Sequence, residues 1–122
     1  MKIQIRRIYE TARGHDGTRI LVDRIWPRGI SKDKARLDAW WKDIAPSGEL
    51  RKWVHHDMDR WEEFKDLYKQ ELRKNRNKLD ELLDGVDPGK TLTLLYGSRD
   101  QQKNHAQILK EFIEEEILAV NR

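Results

Sequence analysis

The sequence predicts an α/β fold: a small mixed, partly parallel sheet of about four strands, covered by helices. Three observations carry this reading. The runs Arg19–Ile25 and Thr91–Tyr96 are almost continuously apolar and rich in branched residues, as strands buried on both faces are. Three later stretches repeat apolar residues at helical spacing instead. The resulting order, β-β-(α)-β-(α)-α-α-β-α, mixes strands with helices as layered α/β domains do. At 122 residues the chain fills one core, so residues 1–122 are read as a single α/β domain.

The elements follow in order. Ile3, Ile5 and Ile8 alternate as in a first strand. Gly14-His15-Asp16-Gly17 is turn chemistry, because Asp-Gly tolerates the positive φ of tight turns. The second strand, Arg19–Ile25, is closed by Trp26-Pro27-Arg28-Gly29, where proline removes a ladder donor. Ser31 is placed to cap a short helical turn through Arg36. Leu37–Ile44 reads as a strand that stops before Pro46, and Ser47 as the N-cap of a helix over Glu49–Val54.

Asp57 or Asp59 then opens a helix of roughly four turns, with Asp59 and Glu62 spaced as a capping box. Its stripe is Trp61, Phe64, Leu67, Tyr68 and Leu72. A further helix carries Leu79, Leu82 and Leu83 and ends at Gly85. After the Asp87–Lys90 turn comes the strand Thr91–Tyr96, and then a last helix to about Leu118 with Asp100 as its N-cap. The two strongly apolar strands are expected side by side in the centre of the sheet.

Composition excludes several classes. No stretch approaches the roughly 20 apolar residues of a membrane span. The charged N-terminus, Met-Lys-Ile-Gln-Ile-Arg-Arg, lacks the apolar core of a signal peptide, so a cytoplasmic protein is expected. Cysteine is absent, which removes disulfides, thiol catalysis and thiolate metal sites. The four histidines are poorly spaced for a metal, so neither metal nor cofactor is expected. The net charge is +3, with the basic excess in the first sixty residues, which permits an anionic partner without demanding one.

Chemistry is sought beyond the carboxyl ends of the strands, where open parallel sheets bind ligands. One polar cluster there is Asp23, Arg24, Trp26 and Arg28, with Lys32 slightly later. The other is Tyr96, Ser98, Arg99, Asp100, Asn104 and His105, which opens a helix. Guanidinium forks beside a helix N-terminus are the parts of an anion pocket. Arg24, Arg28 and Arg99 are therefore the expected charge-holders, with Asp23 orienting an arginine and Trp26, Ser98 and Asn104 completing the binding set. His56 and His105, with Asp23, are the candidate proton-movers if there is catalysis. The plainer reading is a sheet-end salt bridge of Asp23 with one arginine and no ligand. The other tryptophans read as core: Trp61 lies on an apolar stripe, and Trp40 or Trp41 fills the space between sheet and helices.

The blocks Asp16-Gly17-x-Arg19-x-Leu21-Val22-Asp23-Arg24-x-Trp26-Pro27-Arg28-Gly29 and Trp40-x-Lys42-x-x-Ala45-Pro46-Ser47 are distinctive. So are His56-Asp57-x-x-x-Trp61-x-x-Phe64-x-x-x-Tyr68 and Leu94-Leu95-Tyr96-x-x-x-Asp100-x-x-x-Asn104-His105-Ala106. Together they resemble the signature of the YeaO-like family, domain of unknown function 488. Met58, where proline is frequent, and Trp41, where an aliphatic residue is usual, depart from that pattern. The resemblance implies one α/β domain with a strand over Asp38–Asp43, and a motif that includes the polar groups at both strand ends. It implies no particular reaction.

The leading functional expectation is a domain that binds a phosphorylated or carboxylated small molecule at the strand ends. The alternatives are a nucleic-acid-associated module using the basic first half, and a protein-interaction domain whose arginine network is purely structural. The helical stripe yields a first prediction. Phe64→Ala should cost about 3–5 kcal/mol of stability, as for a buried phenylalanine; an unchanged urea midpoint would show that this face is exposed.

Overall fold

The computed structural model of the chain describes residues 1–55 and 60–119. Four strands form one sheet: β1 (Ile3–Arg7), β2 (Thr18–Leu21), β3 (Ala39–Trp40) and β4 (Leu92–Tyr96). Their order is β1-β4-β2-β3, and every pairing is parallel. The two most apolar strands, β2 and β4, do lie side by side in the centre. All five residues of β4 are buried, which accounts for a run without polar alternation. The sheet is parallel throughout, where a mixed one was expected.

Among the described residues five α-helices accompany it: α1 (Lys32–Ala35), α2 (Gly48–His55), α3 (Trp61–Lys74), α4 (Arg76–Asp84) and α5 (His105–Phe112). The last continues as a π-helical segment over Ile113–Leu118. Connections β1→β2 and β2→β3 run in one lateral direction, and β3→β4 runs back. Crossovers share one hand, so opposite directions put their segments on opposite faces of the sheet. The distribution of apolar residues fits this. Ile3, Ile20, Leu92 and Leu94 join Phe64, Tyr68, Leu109 and Phe112 in the main core. On the other face Ile8, Leu21 and Leu95 meet Ala35 of α1 in a much smaller cluster. Helix α5 lies against β1 and β4, and α3 packs on α5.

Several boundaries differ from the sequence reading, each for a local reason. β2 ends at Leu21, although Val22 still donates to Leu95 at 3.0 Å. Beyond it the chain bends away, and Ile25, read as a buried strand residue, is 56% exposed. β3 is cut to Ala39–Trp40 because Lys42–Ile44 coils into a 3-10 turn. That turn sends Trp41 and Ile44 into the main core and presents the Ile44 carbonyl to the Tyr68 hydroxyl at 2.8 Å. Ser31 and Ser47 cap as expected, receiving the N–H groups of Lys34 and Leu50 at 3.2 Å. The last helix is capped by Asn104, whose side chain accepts the Gln107 N–H, and not by Asp100. Asp100 lies four residues too early and closes its own turn by accepting from Gln102 and Lys103. The capping box at Asp59 falls outside the described residues.

The thinly covered face is held by ions. Asp16, fully buried, accepts from the Arg6 guanidinium at 2.7 Å and from that of Arg19 at 2.6 Å. The Arg13 backbone N–H adds a third donor at 2.9 Å. Gly17 follows with φ +65, and a Cβ there would run into the Thr91 backbone, so the turn that delivers Asp16 requires glycine. Burial opposes ionisation of this carboxyl, but the Arg13 N–H and the two guanidiniums outweigh it and hold it below the usual carboxylate range. A carboxyl depressed in the folded state stabilises the fold above its unfolded pKa and loses that contribution as pH falls through the folded value. Asp16→Asn should therefore cost about 3–5 kcal/mol at neutral pH, since it removes the buried carboxylate that Arg6 and Arg19 share and leaves Arg19 with carbonyl partners alone. The gap between variant and wild type in urea melts should narrow below about pH 4. A gap that stays constant with pH would show that the charge is not what stabilises.

Candidate functional site at the carboxyl ends of the strands

A pocket of about 510 Å³ opens beyond the carboxyl ends of the strands. Such a volume lies within the ~300–1,000 Å³ range of small-molecule sites. Tyr9 after β1, Asp23–Pro27 after β2, Pro46 after β3 and Gly97–Asp100 after β4 all contribute to its lining. The parallel sheet brings these four loops to one edge, so the pocket follows from topology.

The loops after β2 and β4 are clamped together. Asp23 Oδ2 accepts the Gly97 N–H at 2.9 Å. A Cβ at Gly97 would sit 2.9 Å from that same oxygen and 3.7 Å from Pro27 Cβ, so glycine permits the approach. Asp23 Oδ1 is shielded from solvent and lies 3.0 Å from His105 Nε2, but makes no aligned hydrogen bond among the described residues. The same nitrogen sits 3.0 Å from the Val22 carbonyl. A carbonyl only accepts, so Nε2 carries the proton and His105 donates to the backbone. The ring also meets Tyr68 edge-on at 6.4 Å.

The expected site residues divide sharply. Asp23, Arg24, Trp26, Ser98, Arg99, Asn104 and His105 line the pocket, whereas the exposed Arg28 is not in its lining. Arg28 instead offers its carbonyl to the Tyr9 hydroxyl at 2.8 Å. His56 lies outside the described residues. Of the seven that line the pocket, several are already engaged. Arg24 donates through Nε to Pro46 and through Nη2 to Ala45, fastening the loop after β3. Trp26 donates to Ile30 at 2.7 Å and packs edge-on against Trp40. Asn104 is buried, with its oxygen on Gln107 N–H and its amide on the Asp100 carbonyl. Ser98 Oγ accepts from Asp100 at 3.2 Å.

Three cations in the lining are not engaged. The side chains of Arg51, Arg99 and Lys103 make no hydrogen bond or ion pair among the described residues. Against them stand two carboxylates, Asp23 and Asp100, each with one oxygen on backbone N–H groups: Asp23 Oδ2 on Gly97, and Asp100 Oδ1 on Gln102 and Lys103. The N–H groups of Lys103 and Gln102 hold the Asp100 carboxyl below its ordinary value, so it stays ionised with its charge already met. Trp61 and Phe64 of α3 form an aromatic wall, their rings stacked at 5.4 Å. Arg51, Lys103, Trp61 and Phe64 were not among the residues expected from sequence. Arg51 and the two aromatics sit on helices that reach the strand ends through tertiary packing, and the motif that carries Trp61 and Phe64 read as a core stripe and not as pocket lining. Lys103 sits in the loop after β4, and its proximity to Arg99 was the available signal.

Residues 2–122 match the family model described as the inactive DUF488-N3 subclade. The chain belongs to the YeaO-like DUF488 family. It is 42% identical to the uncharacterized protein YeaO of Escherichia coli (strain K12), over 93% of this chain and 97% of that one. It is 38% identical to the uncharacterized protein Rv3073c of Mycobacterium tuberculosis (strain H37Rv), over 92% and 93% of the two chains. No solved structure shows a significant match. Among the described residues no group of three or more metal-ligating side chains assembles, and no helix is long and apolar enough to cross a membrane.

The clamp gives the third prediction. Gly97→Ala should lower stability by about 1.5–3 kcal/mol, the worth of a hydrogen bond to a charged group. Chemical denaturation measures it, and a wild-type midpoint would mean that Asp23 and Gly97 need not approach.

Proposed function

We propose that the strand-end pocket binds a phosphorylated or carboxylated small molecule, in a cytoplasmic domain that works by binding and not by catalysis. The observation that carries this reading is the imbalance inside the pocket: among the described residues the side chains of Arg51, Arg99 and Lys103 make no hydrogen bond or ion pair, while Asp23 Oδ2 and Asp100 Oδ1 accept backbone N–H groups. Unpaired guanidiniums in a concave, partly apolar site favour an oxyanion, to which they offer forked donors. The cations converge on a cavity instead of running along a face, which suits a small molecule better than a nucleic-acid strand.

One observation favours binding over chemistry: the family description carries the word inactive.

The test is thermal melting against phosphate, sugar phosphates, nucleotides and dicarboxylates at constant ionic strength. A ligand at ~100 times its dissociation constant should stabilise the fold by about 2.7 kcal/mol. The shift should vanish in folded Arg51→Ala and Arg99→Ala variants. No shift with any anion, or a shift that survives both substitutions, would replace this reading with a purely structural one.

A further inference from the structure

Resting on that anion-binding reading, we infer that the ligand also carries a planar ring, stacked against Trp61, and belongs to the class of nucleoside phosphates. The pocket is many times larger than a phosphate ion requires, and its excess is lined by apolar and aromatic surface. Trp61 is half-buried and lines the cavity. Phe64, itself buried in the core, backs it in a stack with an interplanar angle of 22°. A half-buried indole that lines a cavity and is backed by a second ring is a stacking platform, because a ring laid on it loses little conformational freedom. The proline rings of Pro27 and Pro46 contribute rigid apolar lining to the same cavity.

Charge selects within ring-bearing anions. A single aromatic carboxylate brings one negative charge and would leave most of the three unengaged cations unmatched. A phosphate ester brings about two charges at neutral pH and three acceptor oxygens, so it satisfies more of Arg51, Arg99 and Lys103 at once. The pocket therefore combines cationic side chains from α2 and from the loop after β4 with an aromatic platform from α3. Ring and phosphate are the two halves of a nucleotide.

The experiment titrates untagged protein with AMP, UMP, ribose 5-phosphate and inorganic phosphate at constant ionic strength, read by calorimetry and by tryptophan fluorescence. The expected result is that a nucleotide binds about tenfold or more tighter than ribose 5-phosphate, the advantage of one stacked base. Trp61→Ala should erase that advantage and leave ribose 5-phosphate binding unchanged, while Trp61→Tyr should retain most of it. Should Trp61→Ala fail to fold, the wild-type comparison and the nucleotide-induced fluorescence change missing from Trp61→Tyr decide the matter. Equal affinity for nucleotides and ribose 5-phosphate overturns ring recognition and leaves the anion pocket standing. Binding of neither overturns both readings. Nucleotide binding that persists in Arg51→Ala and Arg99→Ala places the ligand elsewhere and also overturns the inference.

Discussion

Much of this structure hangs on the buried carboxylate of Asp16. It joins Arg6 of β1 to Arg19 of β2, while its own carbonyl accepts the hydroxyl of Thr93 in β4 at 2.6 Å. Three parallel strands thus meet at one residue. Arg19 carries the connection further, donating to the Ala35 and Arg36 carbonyls at the end of α1. The Arg19 backbone N–H reaches Asp38, which leads into β3. Arg36 itself adopts a left-handed conformation, φ 46, to turn the chain back toward the sheet. This face has only four-residue α1 and a small apolar cluster to cover it. Desolvating the charges is costly, but a one-residue slip of β1 or β2 would send Arg6 or Arg19 into the main core. The network sets register where apolar packing is too sparse to do so.

Register in turn sets the pocket. With β1, β4 and β2 held in parallel, the loops that follow them emerge at one edge, and Asp23 falls opposite Gly97. The arginines then divide by task. Arg6 and Arg19 neutralise Asp16, Arg24 fastens the loop after β3, and Arg7 donates to Ser98 and Gly97 carbonyls across from β1. Among the described residues, Arg51, Arg99 and Lys103 remain unengaged in the lining, so positive charge there exceeds what these structural contacts use.

The sequence made the sheet centre legible because two parallel strands covered on both faces must be apolar at every position. It made α3 legible because fourteen residues give a helical stripe room to repeat. β3 was harder: two paired residues at an edge leave no period to read, and the tryptophans there serve opposite faces, Trp41 in the main core and Trp40 beside the small one. The cap of α5 was misplaced because Asp100 and Asn104 are both good caps, and only their distance from the first helical N–H decides between them. Of the residues that strand-end reasoning grouped, Asp23, Arg24 and Arg99 line the pocket and Arg28 does not. The bend after Leu21 aims Arg28 elsewhere, and Arg51 enters from a helix that strand-end rules do not consider.

The same hydrogen bonds that make the pocket rigid also limit what it can do. Catalysis by proton transfer needs a group whose proton is free to move toward a bound reactant. His105 lies beside a carboxylate, as an acid–base pair would, yet its Nε2 proton is directed to the Val22 carbonyl. Asp23 is turned toward Gly97 and so locks β2 to β4. The serine in the lining, Ser98, has its hydroxyl oxygen engaged by the backbone of Asp100. The His105 Nε2 proton, Asp23 Oδ2 and the Ser98 oxygen are thus engaged by backbone groups, while Asp23 Oδ1 has no aligned partner among the described residues. The cations around them, unpaired among the described residues, offer hydrogen-bond donors and no acceptor. Acceptors held by the backbone, beside cations left unpaired among the described residues, are the asymmetry on which the anion-binding proposal rests.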